Sequence, residues 1–268
     1  MIRVIVTGAA GRMGGRIISL IMETGGIELA GAVERKGHPA IGKDVGDGLG
    51  LGRTGILIED SLVGCIDRGD VVIDFTSHEV SLGNLEIVAE RGKAIVIGST
   101  GFTAEEMKRV GALATSARCV LTPNMSIGVN VMLKVLADVA GFLGDNYDVE
   151  IVETHHHMKK DAPSGTALKM AQVIAERLGR DLDRVGVYSR KGMIGERTKP
   201  EIGIQAVRAG DIVGEHTVIF GGMGERLEFI HRAHSRDNFA RGAIRAALWI
   251  VNREKGLYDM QDVLGLKT

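Results

Sequence analysis

The chain has 268 residues, 44% of them hydrophobic and 25% charged, with a formal net charge of -1 at pH 7. That length holds one large or two modest domains, and a chain of this size buries roughly 70–75% of its unfolded surface without a disulfide or metal staple. The balanced charge excludes a broad electrostatic attraction to nucleic acid or a membrane surface.

Short runs rich in Val and Ile at residues 2–7, 27–34, 71–76, 94–99 and 119–122 predict strands. Between them, residues 13–23, 79–91 and 104–117 carry apolar side chains at helical spacing. Strands that alternate with helices predict a parallel sheet of the α/β, Rossmann type. The Gly-rich, polar stretch 37–55 reads as a loop. A strand at residues 2–7 leaves no room for the basic and apolar regions of a signal peptide. No apolar run approaches the roughly 18 residues of a membrane span on this reading. Cys65 and Cys119 read as small buried hydrophobes in a reducing compartment. A cytoplasmic location is expected.

Past residue 126 the pattern changes. Residues 127–143 look helical, 148–153 read as a strand, and 167–178 form an amphipathic helix introduced by Ser164, Gly165 and Thr166. Three strand-like runs follow at 203–208, 215–220 and 226–233, suited to an antiparallel or mixed sheet in a second α+β domain. A helix over 238–252 is expected to return to the first domain. The domains predicted are therefore 1–126 with 236–268, and 127–235.

The first strand runs into Gly8, Ala9, Ala10, Gly11, Arg12, Met13 and Gly14, a G-x-x-G-x-x-G variant of the dinucleotide fingerprint. Glycines there permit a tight turn, approach of a pyrophosphate to the backbone, and close contact of helix and strand. Backbone N–H groups and the helix dipole then favour the anion. Glu34 ends the second strand, where a carboxylate meets the adenosine ribose hydroxyls and favours NADH. Arg35 and Lys36 follow and suit the 2′-phosphate of NADPH, so both cofactors stay open. Gly98, Ser99 and Thr100, and then Thr122, Pro123, Asn124 and Met125, follow later parallel strands, where such sheets bind ligands.

The densest chemistry runs from Glu153 to Thr166, from a strand end to a helix start. His155, His156 and His157 suit proton transfer near neutrality. Lys159 and Lys160 offer positive charge for a carboxylate, or a proton donor. Ser164 suits a helix cap, and Gly165 and Thr166 present N–H groups to an anion. A metal site and a solvated basic loop compete with this reading, but acidic or Cys partners at metal spacing are missing.

This segment resembles the signature E-x-H-H-x-x-K-x-D-A-P-S-G-T-A of the 4-hydroxy-tetrahydrodipicolinate reductase (dihydrodipicolinate reductase) family, and Glu153 through Ala167 match each fixed position. Further matches lie at Gly8 to Gly14, Glu34 with Arg35, Asp74-Phe75-Thr76, Gly98 to Gly101 and Val207 to His216. His78 stands where the family usually shows Pro. The resemblance implies NADH- or NADPH-dependent reduction of 4-hydroxy-tetrahydrodipicolinate, through its dehydrated cyclic imine, in lysine and diaminopimelate biosynthesis. It places His155 and Lys159 in proton transfer, and His156, Gly165 and Thr166 on the substrate. It also puts the cofactor on Gly8 to Met13, Glu34, Arg35, Gly98 to Thr100 and Thr122 to Met125, with no metal. A homotetramer is implied as well. Two rivals are another reductase of a small anionic imine or carbonyl on the same scaffold, and a dinucleotide-sensing regulator. The regulator has no use for the Glu153–Thr166 array.

Overall fold

Residues 1–267 are described by a computed structural model of the chain. In chain order the elements are β1 (Ile2–Thr7), α1 (Arg12–Glu23), β2 (Ile27–Val33), α2 (Val45–Leu49), β3 (Ile58–Glu59), β4 (Val71–Asp74), α3 (His78–Glu90), β5 (Ala94–Ile97), α4 (Ala104–Ala114) and β6 (Arg118–Leu121). They continue with α5 (Ile127–Leu143), β7 (Asp148–His155), α6 (Gly165–Arg177), α7 (Leu182–Val185), β8 (Gly186–Val187), β9 (Ile202–Arg208), β10 (Gly214–Gly221) and β11 (Arg226–Ala233). The last three are α8 (Asp237–Ile250), β12 (Gly256–Tyr258) and α9 (Met260–Leu264). Two compact units result: Met1–Ile127 with the chain from Asp237 onward, and Gly128–Arg236.

The first unit is built on a sheet of order β12-β6-β5-β4-β1-β2-β3 whose paired strands are all parallel. Successive strand residues point to opposite faces, and here both faces are covered. Val4 and Val6 enter one core with Val71, Ile73 and Val96, while Ile5 enters a second with Val72, Ile95 and Ile97. That is why these strands read as continuous apolar runs rather than as alternation. Helices α1 and α8 supply Ile17, Ile21, Ala243 and Ala247 to the first core. Helices α3 and α4 supply Leu85, Val88 and Val110 to the second. An ion pair from Arg16 to Asp237, at 2.6 and 2.7 Å, ties α1 to the start of α8.

The second unit carries a mixed sheet of order β11-β10-β7-β9-β8. β10 runs antiparallel to β7 and β11, whereas β9 runs parallel to β7 and β8. Its inward positions are Val149 and Ile151 on β7, Ile202 and Ile204 on β9, and Val218 and Phe220 on β10. Against them lie Ala167, Met170, Ala171 and Ile174 of α6, spaced to share one helical stripe. Val129, Met132, Leu136 and Ala140 of α5 join the same core.

Two expectations are corrected. Residues 37–55 are not loop throughout, because α2 forms within them. Asp44 caps it, accepting from Gly46 N–H at 2.8 Å, and the same carboxylate accepts from Thr54 and Gly55. Clustered glycines masked a helix that one carboxylate nucleates. Residues 127–146, moreover, are long and apolar enough to cross a membrane by length and composition. Here Val129, Met132, Leu136 and Ala140 of α5 face the core of the second unit, while Val131, Val135 and Phe142 stay exposed.

Candidate active site

In the first unit, the turns after β1, β4, β5 and β6 leave the same, carboxyl-terminal edge of a parallel sheet. β1 sits between β2 and β4, so the chain winds away from it on both sides, which opens a crevice at that edge. Gly8 takes φ +64, and a Cβ on Gly14 would overlap the Gly8 carbonyl. The turn therefore requires bare backbone at both positions. Gly11 is the N-cap of α1 and supplies no side-chain cap, so the first-turn N–H groups of Arg12 and Met13 face outward from the positive end of the dipole. This cradle fits a dinucleotide's phosphates.

Glu34 lies beside the same turn. One carboxylate oxygen accepts from Ala10 N–H at 3.1 Å and the other from Arg35 N–H at 3.0 Å. Ala9 and Met125 bury their side chains in the core, leaving only their backbone for a ligand. Asp74, fully buried, accepts from the Thr76 hydroxyl at 2.6 Å, from Asn84 at 2.7 Å and from the Ser81 hydroxyl at 3.0 Å. The Ser81 hydroxyl lies 2.7 Å from that of Ser99, so the turns after β4 and β5 are held as one. Thr122 bonds back to β5, and Asn124 Oδ1 accepts from Ser126 N–H at 2.9 Å. His78, at the start of α3, meets Glu106 of α4 at 2.9 Å; that carboxylate raises the imidazole pKa. A histidine thus bridges two helices.

In the second unit, the inward face of the sheet changes chemistry at one end. Val149 and Ile151 on β7 are followed, two residues at a time, by Glu153 and His155. Arg208 lies beside His155 on β9, and His216 lies opposite Glu153 on β10. The apolar core thus grades into a buried polar cluster.

Glu153 is fully buried and saturated. Arg208 donates to both its oxygens at 2.8 Å, Ser164 N–H donates at 3.0 Å, and His155 Nδ1 lies 2.6 Å away. Burial alone would raise the Glu153 carboxyl, but Arg208, His155 and the Ser164 N–H hold it below the usual range. Burial pushes His155 down, against the pull of Glu153, and the charges of Lys159 and Arg208 add to the fall. Burial also drives His216 down to about 3, helped by His155 and His231.

The segment that follows β7 is pinned along its length. His156 N–H donates to Ile212 O at 2.7 Å, His157 N–H to Gly210 O at 3.1 Å, and Lys159 N–H to His156 O at 3.1 Å. Lys159 Nζ reaches both oxygens of Asp161, at 2.9 and 2.8 Å, and Arg208 donates to the Asp161 carbonyl at 2.7 Å. Ser164 caps α6, accepting from Ala167 N–H at 3.1 Å, and its hydroxyl lies 3.0 Å from His216 Nε2. Gly165 and Thr166 form the first turn of that helix, at the positive end of its dipole.

The structure places His155 at the end of β7, His156 and Lys159 in the loop that follows, and Gly165 and Thr166 in the first turn of α6. Among the described residues, no group of three or more His, Cys, Asp or Glu is placed to hold a metal ion. Sequence reasoning assigned no role to Glu153, Arg208, Gly214 or His216. A signal was present: Glu153 follows the inward Val149 and Ile151 on β7, and His216 precedes the inward Val218 and Phe220 on β10.

Residues 2–125 match the family described as "Dihydrodipicolinate reductase, N-terminus", and residues 128–264 match "Dihydrodipicolinate reductase, C-terminus". The 4-hydroxy-tetrahydrodipicolinate reductase of Syntrophus aciditrophicus is 67% identical over 268 residues, and that of Geotalea uraniireducens is 60% identical over 267; both matches span 100% of each chain. Among solved structures, the dipicolinate-bound dihydrodipicolinate reductase of Paenisporosarcina sp. TG-14 superposes with a TM-score of 0.78 at 26% identity, covering 98% of each chain. The first unit is accordingly a nucleotide-binding domain of Rossmann type, and the chain belongs to the dihydrodipicolinate reductase family.

Proposed function

We propose that the chain reduces 4-hydroxy-tetrahydrodipicolinate, as its dehydrated cyclic imine, to tetrahydrodipicolinate in lysine and diaminopimelate biosynthesis. NADH or NADPH, held by Gly8 to Met13, Glu34, Arg35, Gly98 to Thr100 and Thr122 to Met125, supplies the hydride. Addition at ring C4 of the conjugated C=C–C=N system moves electron density to the ring nitrogen and leaves an enamine that must gain one proton. Gly165 and Thr166 bind a substrate carboxylate with the N–H groups of the first turn of α6. His156 contacts the substrate. Lys159, an ammonium close enough to bear on His155, delivers the proton. His155, whose pKa burial pushes down, is the weaker candidate for donor.

One observation carries this reading. A single buried carboxylate, Glu153, receives both His155 at the start of the segment and the Ser164 N–H at its end. The candidate proton-transfer groups and the anion-binding helix start are thereby presented together, before any ligand arrives. The test mixes purified protein with NADH or NADPH and enzymatically generated 4-hydroxy-tetrahydrodipicolinate. Rapid cofactor oxidation is expected. Oxidation with other imines or carbonyls but not with this substrate would overturn the assignment.

The same reading extends to a cytoplasmic homotetramer built on the sheet of the second unit. Its edge strand β11 leaves Leu227 and Ile230 half-exposed, as an unpaired edge awaiting cover does. Light scattering should give four times the 28.6 kDa chain mass, and a monomer mass would contradict it.

A further inference from the structure

The proton transfer described above needs no group with the properties of Glu153, yet this buried side chain takes part in four hydrogen bonds. We propose that Glu153 is a positioning residue that fixes the tautomer of His155, holding its proton on Nδ1 and leaving Nε2 as a bare lone pair. The inference rests on the reading of His155 as a group that meets substrate.

An ionised carboxylate offers only lone pairs, so its 2.6 Å contact with Nδ1 places a hydrogen on that nitrogen. Arg208 and the Ser164 N–H occupy the other acceptor positions of the carboxylate, which leaves it no alternative arrangement. The ring is also held at its far side. A Cβ on Gly214 would lie 2.9 Å from His155 Nε2, so that glycine is the space in which the imidazole sits. Ala209 N–H bonds the His155 carbonyl at 2.9 Å and fixes the backbone beneath it. The charged and titratable groups that bear on the ring are Glu153 on its own strand, Arg208 on β9, His216 on β10 and Lys159 in the loop. Two of these are cations, which together with burial push the imidazole pKa down.

A neutral ring with hydrogen on Nδ1 accepts at Nε2 and has no proton to give there. His155 then takes a hydrogen bond, from a substrate N–H or from an ammonium, and the proton of the reaction must come from Lys159. Glu153 thereby separates two candidates that the motif alone leaves equivalent. The same carboxylate holds the residue that caps α6, so imidazole and anion-binding turn are registered to one atom group.

The test is Glu153→Gln, read against His155→Ala and the double variant. Glutamine keeps an acceptor for Arg208 but turns an N–H toward His155 Nδ1, which drives the ring proton to Nε2, the wrong tautomer. We expect kcat/KM for the imine substrate to fall at least about tenfold with the NADH dissociation constant unchanged. Glu153→Gln should add no loss to His155→Ala. Nitrogen-15 spectra of histidine-labelled wild-type enzyme should show His155 protonated at Nδ1 only, and the Gln variant should show it at Nε2. Full kcat/KM in Glu153→Gln, or a wild-type spectrum with the proton on Nε2, would overturn the proposal. Should the variant not fold, the wild-type spectrum decides alone. Normal turnover in His155→Ala would instead remove the role of His155, whatever its tautomer.

Discussion

The two candidate ligand-binding regions of this chain are built from opposite materials. The edge of the first unit presents backbone: glycines, first-turn N–H groups and small hydroxyl residues, with Glu34 and Arg35 the charged side chains at its margin. The cluster in the second unit presents side chains: a buried carboxylate, an arginine, histidines and a lysine, cross-bonded over the inner face of a sheet. A region made of backbone tolerates no added atoms. A region made of paired charges tolerates little loss, because each removed partner strands another in a dry place. The two should therefore fail in different ways when altered.

The largest effect is expected in the second unit. Lys159→Ala should lower turnover by at least ~10²-fold while NADH binding, measured by fluorescence titration, survives. Near-normal turnover would take Lys159 out of the reaction. Next comes the first unit, where Gly14→Ala forces a Cβ into the Gly8 carbonyl. That variant should weaken NADH binding about tenfold or more and cost about 1–3 kcal/mol of stability. Unchanged cofactor affinity would show that the turn is not the phosphate cradle. Gly214→Ala sharpens the comparison, since it adds one carbon to the side-chain cluster rather than to the backbone edge. It should lower kcat/KM roughly fivefold by displacing His155, with little change in NADH affinity.

Smaller shifts are expected at the margins. Arg35→Ala should move cofactor preference toward NADH by about threefold, and Glu34→Ala should move it toward NADPH, as read from paired KM values. Preferences unmoved by either change would place the ribose elsewhere. Asp44 tests stability alone. Hydrogen bonds from Thr54, and then from Gly46 and Gly55, hold its carboxyl down at about 2, against the opposing effect of burial. An unfolded Asp titrates near ~3.9. The stabilisation is present above that value and is lost as the pH falls through about 2. Asp44→Asn should lower Tm at pH 7, with the gap from wild type closing as the pH falls through that window. A gap of constant size would contradict the assignment.

How much of this was legible in the sequence depended on distance along the chain. The parallel strands were visible because burial on both faces writes them as unbroken apolar runs, and the observed β1, α5 and β11 coincide with the expected limits. β3, β8 and β12 span two or three residues each, too short for any period to register. They form because neighbours offer them an edge. In the site, the segment from Glu153 to Thr166 was legible because its groups are consecutive. Arg208 was not, because it meets Glu153 across 55 residues through strand register. The partnership of Ser164 and His216, 52 residues apart, was hidden for the same reason. Local sequence carries the candidate reacting groups, and the sheet supplies what orients them.

The most direct measurement is a crystal structure of the enzyme with NADH and dipicolinate bound together. One dipicolinate carboxylate should accept hydrogen bonds from the Gly165 and Thr166 N–H groups, with Lys159 turned from Asp161 toward the ring. Dipicolinate bound away from the start of α6, with Lys159 still paired to Asp161, would contradict the account.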